Sequence, residues 1–196
     1  MHTKRLMAKI ALIVGSVRRD RQGIKVARWM EEKLKNRSHI VFFIDPMELN
    51  LPLLDRMYKE MTNPTENLRD LYNKVKDAEG YLPVTPEYNH STSAAMKNTL
   101  DYFLEEYYFK PSAIVSYSPG GFGGINAAQQ MRLIFAELGA PSIPSSFPIS
   151  RVHEVFDENG KLIDGRYEKR VKRFLDEFEW YIEALKNQRA TKGTPY

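Results

Sequence analysis

The chain of 196 residues contains no cysteine. That absence removes disulfides, thiolate nucleophiles and cysteine-ligated metals from the chemistry open to it. It also fits a cytoplasmic setting. Histidine is scarce. His2, His39, His90 and His153 stand far apart and form no ligand spacing, so no metal centre is expected. No apolar run approaches the roughly 18 residues that a bilayer crossing takes, so no membrane association is expected. The basic N-terminal stretch, residues 1–7, lacks the long apolar core of a signal peptide. Dominance of one charge is missing too, because 29 Lys and Arg oppose 25 Asp and Glu and leave +4. The densest basic cluster, Lys169-Arg170-Val171-Lys172-Arg173, precedes Asp176, Glu177 and Glu179 in a helical pattern and reads as a solvated helix face. So small a surplus argues against a nucleic-acid partner, while favouring phosphorylated small molecules.

What is present is ordinary globular material, 42% hydrophobic and 28% charged, enough for one domain with a full core. Residues 1–186 are expected to form that domain, and the polar residues 187–196, with Gly193 and Pro195, a disordered tail. Lys9 to Val14 is a continuous apolar run ended by Gly15, the mark of a strand buried on both faces. Further strands are expected over 39–44, 80–85, 112–117 and 142–149, although Pro83 and Pro144 lack the ladder donor. Helical spacing runs over 23–34, 65–77 with Thr65 as cap, 93–104, 125–138 stopped by Gly139, and 167–186. Residues 50–64 read as irregular, and Asp157-Glu158-Asn159-Gly160 as a tight turn between 152–156 and 161–163. Strand and helix therefore alternate. The pattern predicts an α/β fold with a five-stranded parallel sheet, order 2-1-3-4-5, and helices on both faces. Trp29, Trp180, Tyr181 and most methionines fall on helical patterns as core or interface, and Tyr107-Tyr108-Phe109 suggests an exposed interface patch.

Loops after the first, third and fourth strands carry unusual chemistry, and that strand order brings them to one sheet edge. Gly15-Ser16-Val17-Arg18-Arg19-Asp20-Arg21-Gln22-Gly23 opens a helix. Its glycine, hydroxyl and arginines suit a phosphate, or make an ordinary basic loop. It matches neither the P-loop nor the dinucleotide fingerprint. Pro86-Glu87-Tyr88-Asn89-His90-Ser91 gathers a ring, a carboxylate and an amide, as a platform for a flat ligand or as a capping turn for the next helix. The Glu87 carboxylate would not help reduction of an electron-rich ring, which points its side chain toward a structural role. Tyr117-Ser118-Pro119-Gly120-Gly121-Phe122-Gly123-Gly124 allows close backbone approach to a planar ring, or is simply flexible. Together the loops make a case for a bound flavin.

With these motifs in place, the sequence resembles the NADPH-dependent FMN reductase family, flavodoxin-like proteins that include quinone, azo-dye and chromate reductases. The resemblance is carried by Gly15-Ser16-Val17-Arg18, by Thr85 to Ser91 with Lys97, Asn98 and Asp101, and by Ser116-Tyr117 with the later glycines. It runs from about Lys9 to Leu185. It implies that Ser16, Arg18, Gln22, Gly23 and Ile24 surround the FMN phosphate. By the same resemblance Pro86, Glu87, Tyr88 and Asn89 line the isoalloxazine, and Tyr117, Ser118, Gly120 and Gly121 complete the pocket. Gln22 stands where members often carry Ser or Thr, and the Tyr117 loop is longer than the Ser-Tyr-Gly-Gly form of some members. The resemblance further implies a homodimer or homotetramer that passes hydride from NADPH, with NADH as the other donor, through FMN. A small-molecule electron acceptor follows in a ping-pong cycle: a quinone, azo compound, free flavin or metal ion. Flavin N5 carries the hydride, so no catalytic side chain is expected, and His90 is positioned to touch substrate. The rival readings are a non-enzymatic FMN electron carrier, against which the basic charge speaks, and a flavin-free regulatory protein of the same fold.

Overall fold

The structure, a computed structural model, describes residues 6–196, so His2 and most of the N-terminal stretch lie outside the described residues. Five parallel strands form one sheet in the order β2-β1-β3-β4-β5, the flavodoxin-like arrangement. The strands are β1 (Lys9–Val14), β2 (Ile40–Ile44), β3 (Gly80–Pro86), β4 (Val115–Tyr117) and β5 (Phe147–Ile149). The helices are α1 (Gly23–Lys35), α2 (Pro46–Leu49), α3 (Glu66–Asp77), α4 (Ala94–Asp101), α5 (Ile125–Glu137) and α6 (Arg166–Lys192).

Alternate residues of β1 enter different cores. Ile10, Leu12 and Val14 pack with α1 and α6, through Met30, Phe174 and Phe178. Ala11 and Ile13 pack with α3, α4 and α5, through Leu71, Leu100 and Phe135. A strand buried on both faces has no polar face, which is why its sequence shows no alternation. Side-chain caps begin α3 and α4: Thr65 Oγ1 accepts from Leu68 N–H, and Ser93 Oγ from Met96 N–H. Gly139 ends α5 at φ +67°.

The prolines explain where the strands differ from expectation. Tyr81 bonds toward β4 through both of its backbone groups, with Pro111 and Ala113. Pro83 faces the same way and has no N–H, so regular pairing of β4 starts only at Val84 with Val115, and Ser112 makes an isolated bridge to Tyr81. Similarly Ser142 bridges Ser112 alone, and regular β5 begins after Pro144. The carbonyls of Ile143 and Pro144 are satisfied instead by the Arg132 guanidinium, at 2.8 and 2.7 Å.

Asp45-Pro46 closes β2 and opens the short α2, with the Asp45 carboxylate accepting from Met47 N–H. Other expectations need correction. Residues 152–154 form a 3-10 turn rather than a strand, and the Asp157–Gly160 turn leaves one antiparallel bridge, Phe156 with Leu162. Tyr107 is fully buried, not part of an exposed patch, while Trp180 is 64% exposed on α6. Residues 187–192 are helical, as the end of α6, and not a disordered tail. The Arg189 guanidinium bonds the Phe109 carbonyl, and the Tyr196 ring meets Tyr108 and Phe109 with centroids 5.6 and 5.1 Å away.

Candidate functional site

A groove of about 450 Å³ lies beyond the carboxyl ends of β1, β3 and β4. Its first wall is the loop from β1 to α1. Gly15 starts it because a Cβ there would stand 2.7 Å from both the Val84 carbonyl and the Pro86 ring. The Ser93 hydroxyl holds the Gly15 carbonyl, tying this loop to the start of α4. Arg21, expected beside Arg18 at a phosphate, is committed elsewhere. Its guanidinium grips the buried Asp45 carboxylate through two bonds and reaches the Ser16 carbonyl at 2.7 Å. Such a fork-on-carboxylate pair fixes the loop's shape.

Of the remaining donors of this wall, the Ser16 hydroxyl accepts from Arg18 N–H at 3.3 Å. Gln22 stands at the cap position of α1 without a side-chain bond to the helix, and the first turn holds no acidic residue. The opening amides of α1, at Gly23 and Ile24, therefore point outward without a partner among the described residues. Arg18 forms no ion pair among the described residues; its guanidinium lies 5.9 Å from the Tyr88 ring centroid. The Ser16 hydroxyl is 2.8 Å from the Tyr88 hydroxyl. A helix start with free amides, a hydroxyl and an unpaired guanidinium is a donor set for a phosphate monoester.

The second wall follows β3. Tyr88 and Ser91 exchange both backbone hydrogen bonds, at 2.9 and 3.1 Å, across Asn89 and His90 at φ +50° and +65°. That is a type I′ turn, in which asparagine tolerates the left-handed conformation readily. The tight turn presents the Tyr88 side chain to the groove and leaves Asn89 and His90 exposed at its tip. The Glu87 carboxylate turns away from the ring site. It accepts from the Asn126 and Ala127 amides at 2.9 and 3.2 Å and from Asn126 Nδ2 at 3.2 Å, capping α5. Burial pushes its pKa up, but these hydrogen bonds outweigh burial and hold it below the ordinary glutamate value.

The third wall is Tyr117 and its loop. Tyr117 carries its hydroxyl to the start of α1, where a Cβ at position 23 would lie 2.1 Å away. Gly23 thus makes room for a ring that closes the groove's floor. Burial, then the neighbouring Tyr88, keeps the Tyr117 phenol's pKa above its ordinary value, so it remains a neutral donor. Gly124, at φ +79°, brings the chain back against Tyr117 and Ser116, with no room for a Cβ. The loop's outer part is drawn toward β5: Arg151 N–H donates to the Gly120 carbonyl, Val152 N–H to Ser118, and the Ser150 hydroxyl to Gly121.

The groove therefore brings together Ser16, Arg18, Gln22, Pro86, Glu87, Tyr88 and Tyr117. Gly23 and Ile24 begin α1 behind it, and Asn89 stands at the turn tip beside Tyr88. Ser118 and Gly120 lie along the outer loop, and Gly121 faces a neighbouring groove of about 790 Å³. Pro119, Val152 and His153 line the site as well, although residue chemistry did not single them out. Topology offered the signal, since a loop following β5 of a parallel sheet must emerge at this same edge. The larger neighbouring groove lies between the loop after β5 and the start of α6, where the first amides of the helix, at Arg166 and Tyr167, are already bonded to Asp164.

Known proteins share this chain's sequence pattern and fold. Residues 8–154 match the family model described as NADPH-dependent FMN reductase. An NAD(P)H-dependent FMN reductase, ntnL, of Nectria sp. is 34% identical over 147 residues, covering 69% of this chain and 73% of that protein. A quinone reductase of Pseudomonas putida is 29% identical over 181 residues, covering 89% and 94%. Among solved structures, FerB, a flavoenzyme NAD(P)H:(acceptor) oxidoreductase of Paracoccus denitrificans, superposes with a TM-score of 0.74 at 23% identity, covering 91% of this chain and 98% of its own. Matching sequence over most of its length, with the fold in support, the chain belongs to the NADPH-dependent FMN reductase family.

Proposed function

We propose that the groove at the ends of β1, β3 and β4 holds FMN and that the protein is an NAD(P)H-dependent reductase of quinones, azo compounds or similar small acceptors. One observation carries the reading. The donor set at the start of α1, with its free amides and the unpaired Arg18, opens into the same groove as the flat walls of Pro86, Tyr88 and Tyr117. The donor set fits the flavin's phosphate. Ser16, Arg18 and Gln22, with the amides of Gly23 and Ile24, would hold it. Pro86, the backbone of Glu87, Tyr88 and Asn89 would hold the ring, and Tyr117, Ser118, Gly120 and Gly121 would border it.

Bound FMN supplies a hydride acceptor that a nicotinamide can reduce and from which an acceptor can withdraw two electrons. The protein's part is positional. Tyr117 stays neutral and fills the floor, excluding water. Glu87 braces the β3 turn against α5, so its carboxylate stays off the ring. The amides of Asn89 and His90 have no partner among the described residues and remain available as donors at the turn tip. Nicotinamide and acceptor would use the one open side in turn, which yields ping-pong kinetics. Phe122, 85% exposed on the glycine loop, and Ile125, 45% exposed at the start of α5, suit a subunit contact in a homo-oligomer. No described helix is long and apolar enough to cross a membrane, in keeping with a role in the cytoplasm.

The test is a visible spectrum of the purified protein followed by anaerobic NADPH. Flavin bands that bleach on addition, and return with a quinone, are expected. Protein without flavin bands that also fails to take up added FMN would overturn the reading. Bound FMN that NADPH does not reduce would mark an electron carrier instead.

A further inference from the structure

Beside the flavin groove runs the larger groove of about 790 Å³, between the loop after β5 and the beginning of α6. The segment Ser150–Glu154 separates the two. Val152 and His153 face the flavin groove, while Arg151 and Glu154 face the larger one. Successive residues are only about 3.8 Å apart along the chain, so an extended ligand could pass from one groove to the other over this segment.

The larger groove carries three arginines in different states. Arg166 is neutralised by Asp164, to which it makes bonds of 2.7 to 3.1 Å. Arg151 and Arg170 form no ion pair among the described residues. Arg170 is held in place by ring faces, its guanidinium 5.0 Å from the Phe147 centroid and 5.2 Å from that of Tyr167. Stacking of this kind fixes a guanidinium's plane, and apart from one long bond of 3.4 Å from Nη2 to the Pro148 carbonyl its N–H groups stay available to an oxyanion. Arg151 sits at φ +45°, a conformation that costs an arginine energy. Its amide bonds Gly120 and so locks the segment to the glycine loop. The arginines of the flavin groove lie apart from this one: Arg18 belongs to the flavin phosphate wall, Arg21 to Asp45, and Arg19 lines the flavin groove beside them.

Resting on the flavin reading above, we propose that Arg151 and Arg170 bind the 2′-phosphate of NADPH. The nicotinamide then lies in the flavin groove and the phosphorylated adenosine in the larger groove. Arg151 and Arg170 thereby set a preference for NADPH over NADH.

The experiment is calorimetric titration of the purified protein with adenosine 2′,5′-bisphosphate and with 5′-AMP, together with steady-state kinetics for NADPH and NADH. It compares the parent with Arg151→Gln, Arg170→Gln and the double variant. Each substitution should weaken bisphosphate binding by about tenfold, the loss of one charge-assisted contact. The NADPH KM should rise in step, with kcat, the NADH KM and weak 5′-AMP binding unchanged. Arg151→Gly supplies a variant whose backbone suits the left-handed position, and it should show the same loss with no fall in Tm. Unchanged bisphosphate binding in the double variant overturns the proposal, as does an equal rise in KM for both nucleotides. A rise in KM confined to an anionic acceptor would assign the arginines to the acceptor and overturn it equally. These outcomes are separate from the fate of the flavin reading. A protein lacking flavin defeats that reading through its spectrum, whereas a flavoprotein with unaltered bisphosphate binding defeats this one alone.

Discussion

Glu87 shows how a residue's place in a site can be read from sequence while its contacts cannot. A carboxylate beside a flavin ring is chemically awkward, which already pointed the side chain toward a structural role. Its partners, Asn126 and Ala127, lie far along the chain and meet it only because β3 and β4 are neighbours. The consequence for stability has a definite sign. The folded carboxyl has a pKa below its ordinary value, so between the two values the unfolded chain binds more protons. Glu87 therefore stabilises the fold above the ordinary glutamate range and loses that contribution as pH falls through the folded value. Glu87→Gln should cost about 1 kcal/mol at pH 7, the scale of a lost helix cap. Urea denaturation at pH 7 and near pH 4 would check it. The gap between parent and variant should narrow at the lower pH, and an unchanged gap would count against the capping role. Arg21 gives the complementary lesson: its charge was legible as an anion ligand, but its partner Asp45 lies at the end of β2, and pairing there was set by topology.

At the scale of elements, periodicity served where burial was regular. The β1 run, the Thr65 cap and the Gly139 stop all stand where the pattern placed them. The shortened β4 and β5 reflect prolines whose cost depends on which neighbour each missing donor faces, a fact that requires the sheet order. The three loops of the candidate groove were legible because glycine, arginine and aromatic residues are costly choices in a plain connector. Val152 and His153 were not, because a valine and a histidine in a short turn carry no local mark. Lys110 was equally hidden. It joins elements at the opposite sheet edge, where its ammonium donates to the carbonyls of Lys76 and Glu106 at 2.6 and 2.7 Å and to the Tyr81 hydroxyl at 3.3 Å. Burial, then the charge of Arg189, pulls its pKa down to about 8. From about pH 8 to the ordinary lysine value the unfolded chain holds more protons, so this group's contribution to stability rises with pH. Compared with Lys110→Met, the parent should gain on the order of 2 kcal/mol between pH 7.5 and 9.5. Chemical denaturation at both values would measure it, and parallel pH profiles would refute the burial argument.

For the whole molecule, the parallel sheet separates stability from chemistry by placing them at opposite edges. The carboxyl edge holds the loops, the exposed glycines and the two grooves. The amino edge is tied down by α6, whose 27 residues span about 40 Å. The end of that helix reaches the segment before β4 through Arg189 and Tyr196. Removal of residues 187–196 should therefore act on the amino edge alone. The Phe109 carbonyl would lose its guanidinium partner, and the rings of Tyr108 and Phe109 would lose their cover. One charge-assisted hydrogen bond and a partly exposed aromatic contact amount to about 2 kcal/mol. That corresponds to a drop in Tm of about 5 °C for a domain of this size. Affinity for FMN should be unchanged, because no residue of the truncated segment approaches β1, β3 or β4 at the groove. Added FMN should then raise the Tm of the full and shortened chains by the same amount, since ligand stabilisation depends only on concentration and affinity. A thermal-shift series over FMN concentration measures both quantities at once. Parallel curves offset in Tm would establish the separation of the two edges, and a shortened chain with weakened FMN response would show that α6 couples them.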